Sequence, residues 1–235
     1  KIRERFLRWG VVALLVLLSV HPLKFMIVNH PYYYLYYNQL VGGLKGAYAN
    51  YETDYYYVSQ TEASKWLTGY LEKSGLTENV KVKATYTVQW QFRDHPGIET
   101  SYFRYDERSL SDWDYAIVVN RYISPYKLKN GFWPPPNSIH VIYADGIPIC
   151  AVIERKSKDD YYGYVALEEG RYAEAVNYLE KAIEIGGEKS VMLDHLGDIM
   201  FKLGEIQKAR TLWQKAFDMD DTNVSLKSKI EKGEI

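Results

Sequence analysis

The sequence predicts an α/β plus all-α chain: an N-terminal transmembrane helix, a small mixed-sheet α/β domain and two C-terminal helical-hairpin repeats. Three observations predict it. Residues 9–28 form a run apolar enough to cross a bilayer, residues 59–153 hold one helical stripe and then several β-rich runs, and identities recur at an offset of 34 beyond residue 159. On this reading the chain divides into a cytoplasmic flank and span at 1–30, an interfacial linker at 31–58, an extracytoplasmic α/β domain at 59–156 and the repeats with a capping helix at 157–235.

The run from Trp9 to Val28 is 20 residues long, and at about 1.5 Å of rise per residue it reaches roughly the 30 Å of a hydrocarbon core. His21, Pro22 and Lys24 interrupt its second half. A lysine near a helix end snorkels its ammonium to the headgroups, so these residues place the far interface close by. A buried core helix and a cleaved signal peptide are the alternatives. Ser19-Val-His-Pro22 lacks the small residues a signal peptidase needs. Before the run, Lys1 to Arg8 carries four cations against one anion, and the positive-inside tendency holds it in the cytoplasm. Everything beyond residue 30 is then expected on the extracytoplasmic face. With Lys1 in place of an initiator Met, the chain is expected to be the tail of something longer.

Composition excludes some classes. A net charge of −1 over 235 residues gives no electrostatic reason to expect a nucleic-acid partner. The single cysteine, Cys150, lies in an apolar strand pattern and reads as a buried inert thiol. Tyrosine is abundant, 23 residues with runs at 32–34, 36–37 and 55–57. Rings with one wet end favour the membrane–water boundary, so the first runs read as an interfacial belt just past the span.

Residues 31–58 show no sustained period and are expected to connect along the membrane face. Ser59-Gln-Thr-Glu62 has the form of a capping box, and Ala63, Trp66, Leu67, Tyr70 and Leu71 continue as an apolar stripe that Gly75 ends. Strands are expected at 80–88, 115–119, 139–143 and 147–153, giving a sheet of about four. Asp145-Gly146 joins the last two as a hairpin, and Pro148 starts the second of them or puts it at an edge. Phe132-Trp-Pro-Pro-Pro136 forms a stiff aromatic loop that either packs down or meets lipid or a partner domain.

In the repeats Gly163 pairs with Gly197, Gly170 with Gly204, Ala175 with Ala209, Lys181 with Lys215 and Ala182 with Ala216. Small residues at these points let antiparallel helices approach closely; helices are expected at 159–168, 172–185, 191–202 and 206–218. The pattern resembles the tetratricopeptide repeat, although Gly187 and Asp221 stand where that family commonly has proline. Two repeats leave faces uncovered, which a helix at 224–230 with Asn223 as N-cap and docking on the α/β domain can cover. Asn223-Val-Ser225 also matches a glycosylation acceptor. The resemblance implies a groove for a peptide or protein partner; bracing of the neighbouring domain is the alternative.

A second resemblance lies at the end of the span. His30-Pro-Tyr-Tyr-Tyr-Leu-Tyr-Tyr-Asn38-Gln-Leu-Val-Gly-Gly43, leaving an apolar helix, is similar to the exit of the last membrane helix in the dolichyl-phosphate-mannose–protein mannosyltransferase family and its bacterial lipid-carrier-dependent relatives. Where many bacterial relatives then have Asp-Trp-Gly-Gln, this chain has Asp54-Tyr-Tyr-Tyr57. The resemblance implies the non-catalytic C-terminal region of a membrane glycosyltransferase, meeting a lipid-linked sugar donor only through an upstream part that carries the catalytic carboxylate. The alternative is a single-pass membrane-anchored scaffold with no enzymatic activity. No catalytic, cofactor-binding or metal-ligating residue is assigned: histidines 21, 30, 95, 140 and 195 are scattered, no nucleophile elbow or phosphate loop occurs, and Glu52 with Asp54 is an ordinary acidic pair.

Overall fold

A computed structural model describes residues 2–185, 189–219 and 223–233; Gly187 and Asp221, read above as repeat ends, lie outside them. Helix α1 (Ile2–Val28) runs without interruption through Pro22. Most of its surface faces outward and apolar, with Leu7 to Val28 long and apolar enough to cross a membrane. Its last two turns differ. Pro22, Phe25 and Asn29 recur at helical spacing, and Phe25 and Asn29 are buried against the domain that follows. The Asn29 side chain accepts the backbone N–H of Asp145 at 2.6 Å, tying the helix end to a turn more than a hundred residues away.

Residues 31–58 pack into this domain as well as connecting to it. They form short 3-10 turns at Tyr33–Leu35 and Gln39–Val41 and helix α2 (Gly43–Ala47), and bury Leu35 and Leu44 in the first core. Helix α3 (Val58–Ser74) begins where a cap was expected, but the capping box does not form. The Ser59 hydroxyl instead donates to Asp54, and Glu62 accepts from the Tyr32 hydroxyl. Asp54 also accepts the N–H groups of Val58 and Ser59, so a carboxylate further back caps the helix, where its charge meets the positive end of the dipole. Gly75, at φ +68°, ends α3 as expected, with Leu76 N–H closing on Leu71 C=O at 3.0 Å.

The sheet has five strands rather than about four: β1 (Val80–Ala84), β2 (Ile98–Tyr102), β3 (Tyr115–Val119), β4 (Ser138–Ala144) and β5 (Ile147–Glu154), in the order β2-β1-β3-β5-β4. Helix α4 (Gln89–Phe92) lies between β1 and β2, and α5 (Pro125–Lys129) between β3 and β4. β1 stops at Ala84, short of the expected 88, because Thr85 turns away to donate its N–H to Ile117 and accept that of Val119. β1 runs parallel to β2 and β3, whereas β5 is antiparallel to β3 and β4. β5 is therefore interior, and Pro148 starts it without marking an edge. The last β3–β5 partners are Val119 and Cys150, so the proline lies beyond that ladder and removes no bond from it. Asp145 and Gly146, at φ +48° and +75°, make the expected hairpin turn.

Both faces of the sheet are buried, which is why β3 reads as an unbroken apolar run. Ile117, Val119, Cys150 and Val152 face α3, Leu67 and Leu71. Ala116, Val118, Ala151 and Ile153 face Phe103, Trp113 and Trp133. Burial pushes the Cys150 thiol well above its ordinary range, as expected of an inert buried sulfur.

The C-terminal region is four helices in two hairpins, α6 (Asp159–Glu168), α7 (Tyr172–Glu184), α8 (Lys189–Lys202) and α9 (Ile206–Met219), closed by α10 (Val224–Lys232). Asn223 caps α10 through Leu226 N–H at 3.1 Å. Gly170 and Gly204, at φ +75° and +80°, end the first helix of each hairpin. Gly163 and Gly197 permit the close approach: a Cβ would lie 2.8 Å from Leu179 at the first and 2.4 Å from the Trp213 ring at the second.

Candidate functional site

The β-strand face away from α3 does not simply end in solvent. Trp113 and Trp133 seal it, and the Trp133 indole N–H donates to Pro148 C=O at 3.2 Å. The aromatic loop thus packs down through Trp133 while Phe132 stays exposed. Opposite stand the ends of the repeat helices, with Ala182 and Ile185 on one and Met219 on another. Between them lies a cavity of about 780 Å³, in the range that holds a small ligand or a few side chains of an extended chain.

Three contacts hold the two walls in register. Arg155, only 4% exposed, lies over the Trp113 ring at 4.7 Å, donates to Ser111 C=O at 2.8 Å and pairs with Asp160 of α6 at 2.6 Å. Lys158 bridges Asp112 at 2.6 Å and Asp114 at 2.8 Å. Burial raises the Asp112 carboxyl, but Lys158 and Lys81 together hold it below the usual carboxylate range. Third, the Ser109 hydroxyl meets His195 Nε2 of α8 at 3.3 Å. Burial pushes the His195 imidazole down to about 4, so it sits between the units as a neutral ring.

Of the residues weighed for chemistry, the structure gathers none into a catalytic constellation. Glu52 pairs with Arg121 at 2.9 Å near the surface, while Asp54 is fully buried beneath α3, so the acidic pair splits. Burial raises the Asp54 carboxyl against the hydrogen bonds of Ser59 and Tyr34 that lower it. His21 meets Gln39, His30 lies near Tyr33, His95 near Glu72, and His140 stacks on Trp66 at 4.3 Å. Among the described residues no cluster of three His, Cys, Asp or Glu side chains could hold a metal. Arg155, Trp113 and the Asp112–Asp114 pair escaped the sequence reading; a tryptophan between two acids just before an apolar strand was the available signal.

The close approach of α6 and α7 at Gly163, the αL stop at Gly170 and the small contact residues Ala175 and Ala182 describe a helical hairpin of a particular kind. Residues 162–185 match the tetratricopeptide repeat family. A tetratricopeptide repeat is therefore present, and α8–α9 repeats its pattern 34 residues on. No curated protein matches the chain. The tetratricopeptide hairpin contributes Ala182 and Ile185 to the cavity wall.

Proposed function

We propose that this chain is a membrane-anchored protein-interaction module: α1 tethers it, and an extended segment of a protein partner seats in the cavity between the aromatic loop and the repeat ends. The tetratricopeptide repeat supports a protein partner, and the observation that carries the reading is the 780 Å³ cavity held open between two braced units. Trp113, Trp133 and Phe132 supply apolar contact, and the exposed Lys156 on the rim favours a partner segment carrying an acidic residue. The four cations before the span orient the folded units to the extracytoplasmic side, and the unit boundary falls near residue 157, where the second core replaces the first.

A peptide library selected against the full chain in lipid nanodiscs tests this. The expected result is peptides whose affinity falls tenfold or more on Phe132→Ala or Ile185→Asp and holds on Leu76→Ala. Selected peptides indifferent to both cavity changes would remove the site. A reporter fused to the C-terminus reads the orientation.

A second reading keeps the likeness of residues 30–43 to the glycosyltransferase exit: a non-catalytic C-terminal region that positions an acceptor for an enzyme using a polyprenyl-phosphate sugar. Its supporting observation is structural, since Asn38 caps the turn at Leu40 and Val41 while Gly42 and Gly43 take positive φ, so that motif builds the corner after the span. Sugar transfer by the longer parent, lost when this region is deleted, is its test.

A further inference from the structure

The chain leaves α1 at Val28 and then returns along it. Tyr36 packs edge-on against Phe25 at 5.5 Å and lies 5.7 Å from the His21 ring, and the Gln39 amide meets His21 Nε2 at 2.7 Å. His21 is seven residues before Val28, about 10 Å back down the helix axis at 1.5 Å per residue. The segment 36–41 therefore descends beside the span instead of moving away from it.

At the lowest point stands Leu40, 96% exposed. Among the described residues its side chain is left almost bare, yet the backbone that presents it is tightly built. Asn38 Oδ1 accepts the N–H of Leu40 at 3.0 Å and of Val41 at 3.4 Å. Gly42 follows at φ +81°, and Gly46 lies so close beneath that a Cβ there would fall 1.9 Å from the Val41 carbonyl oxygen. A fixed turn thus offers one leucine to whatever surrounds α1 at the level of His21.

We propose that Leu40 is a membrane wedge, inserted among the acyl chains of the outer leaflet beside α1, with the bilayer boundary at the level of His21 to Lys24. The inference rests on α1 spanning a bilayer. Continuity names lipid as the occupant. Leu40 extends the exposed apolar surface of Leu17, Leu18 and Val20, while the polar groups at its level, His21, Gln39 and Lys24, suit the headgroup zone. Placing the boundary at Val28 instead would sink the His21–Gln39 pair about 10 Å into hydrocarbon.

The test uses the full chain in phosphatidylcholine–phosphatidylglycerol vesicles, with an environment-sensitive fluorophore on Leu40→Cys, on Leu15→Cys in mid-span and on Leu203→Cys in the second repeat as the aqueous reference. Cys150, buried with a raised thiol pKa, leaves the unsubstituted chain as the labelling blank. Lipids carrying a shallow or a deep spin label supply the quenching. The expected result is deep quenching at Leu15→Cys and, at Leu40→Cys, a blue-shifted emission quenched at least twofold more by the shallow label than at the reference site. Quenching at Leu15→Cys with none at Leu40→Cys overturns the wedge and leaves the anchor standing. A blue shift at Leu40→Cys without lipid quenching places a protein surface there and overturns it too. An unquenched Leu15→Cys removes anchor and wedge together.

Discussion

The two hairpins of the C-terminal region share one backbone plan and solve its central contact differently. Gly163 of the first faces Leu179, and Gly197 of the second faces Trp213, the residue 34 positions on. Both side chains are fully buried, but the indole is larger and rigid and comes closer. The indole also brings a donor, and its N–H reaches Asp198 at 3.0 Å. Asp198 in turn holds Lys229 of α10 at 2.7 Å, and Lys229 also reaches Asp194 at 2.7 Å. The first hairpin keeps an acid at the position equivalent to Asp194, and it too takes a cation from outside the repeats: Asp160 holds Arg155. Each hairpin therefore uses one conserved geometric slot to fasten its outer neighbour, the α/β domain on one side and the capping helix on the other. The lesson is that a repeat is made non-interchangeable by what sits in a few slots, not by its fold.

The largest expected effect follows from that fastening. Lys229→Ala leaves Asp194 and Asp198 facing each other with little solvent, and removing one partner of such a group costs about 3 kcal/mol or more; urea unfolding of the full chain should show it. Gly197→Ala comes next, at about 2 kcal/mol, because overpacking against a rigid ring exceeds the helix propensity an alanine gains. With Trp213→Leu already present, the same change should cost less than half as much, since the two hairpins then share one solution. Gly163→Ala should cost less, about 1 kcal/mol, because its Cβ would meet an aliphatic side chain at 2.8 Å and not a rigid ring at 2.4 Å. Equal costs at the two glycines would erase the distinction drawn between them.

pH separates the hairpins in another way. His195 corresponds to Tyr161 of the first hairpin, a phenol in place of the imidazole. Asp198, Asp160 and Glu168 favour the imidazolium and Lys229 opposes it, but burial dominates and leaves the pKa at about 4. An unfolded histidine protonates near 6.5, so this stability term is whole above that pH and falls away as pH drops toward 4, by about 2 to 3 kcal/mol. Asp198, with its carboxyl raised by burial, works in the opposite direction. The difference between the wild-type chain and His195→Asn, followed by thermal unfolding from pH 7 to 4.5, isolates the histidine. A difference that stays flat across that range would place His195 in water. Asn223→Ala, which removes only the cap of α10, should likewise cost only about 1 kcal/mol.

What the sequence showed depended on how locally each element is determined. The hairpin at Asp145-Gly146, the buried strand at 115–119 and the repeat helices are set by nearby residues, and they stand where periodicity and turn chemistry put them. β2 did not show, because Ile98-Glu-Thr-Ser-Tyr102 is a short edge strand whose partner, β1, lies across a parallel connection. The capping box misled for a related reason. Ser59 and Glu62 had the right spacing, but tertiary partners, Asp54 and Tyr32, claimed both side chains. The cavity was equally hidden, since its walls come from segments as distant as Trp113 and Met219 and are joined by contacts such as those of Arg155, Lys158 and His195.

The bond from Asn29 to the hairpin turn at Asp145 would give the proposed anchor a particular property. A tether joined by loose chain is a swivel, and whatever it carries points in every direction. Here the end of α1 is bonded to the hairpin turn, so under the proposed anchoring the heading of the cavity over the bilayer follows the lean of the span like a mast and its yard. Thickening or thinning the bilayer, which changes that lean, would steer the cavity with it.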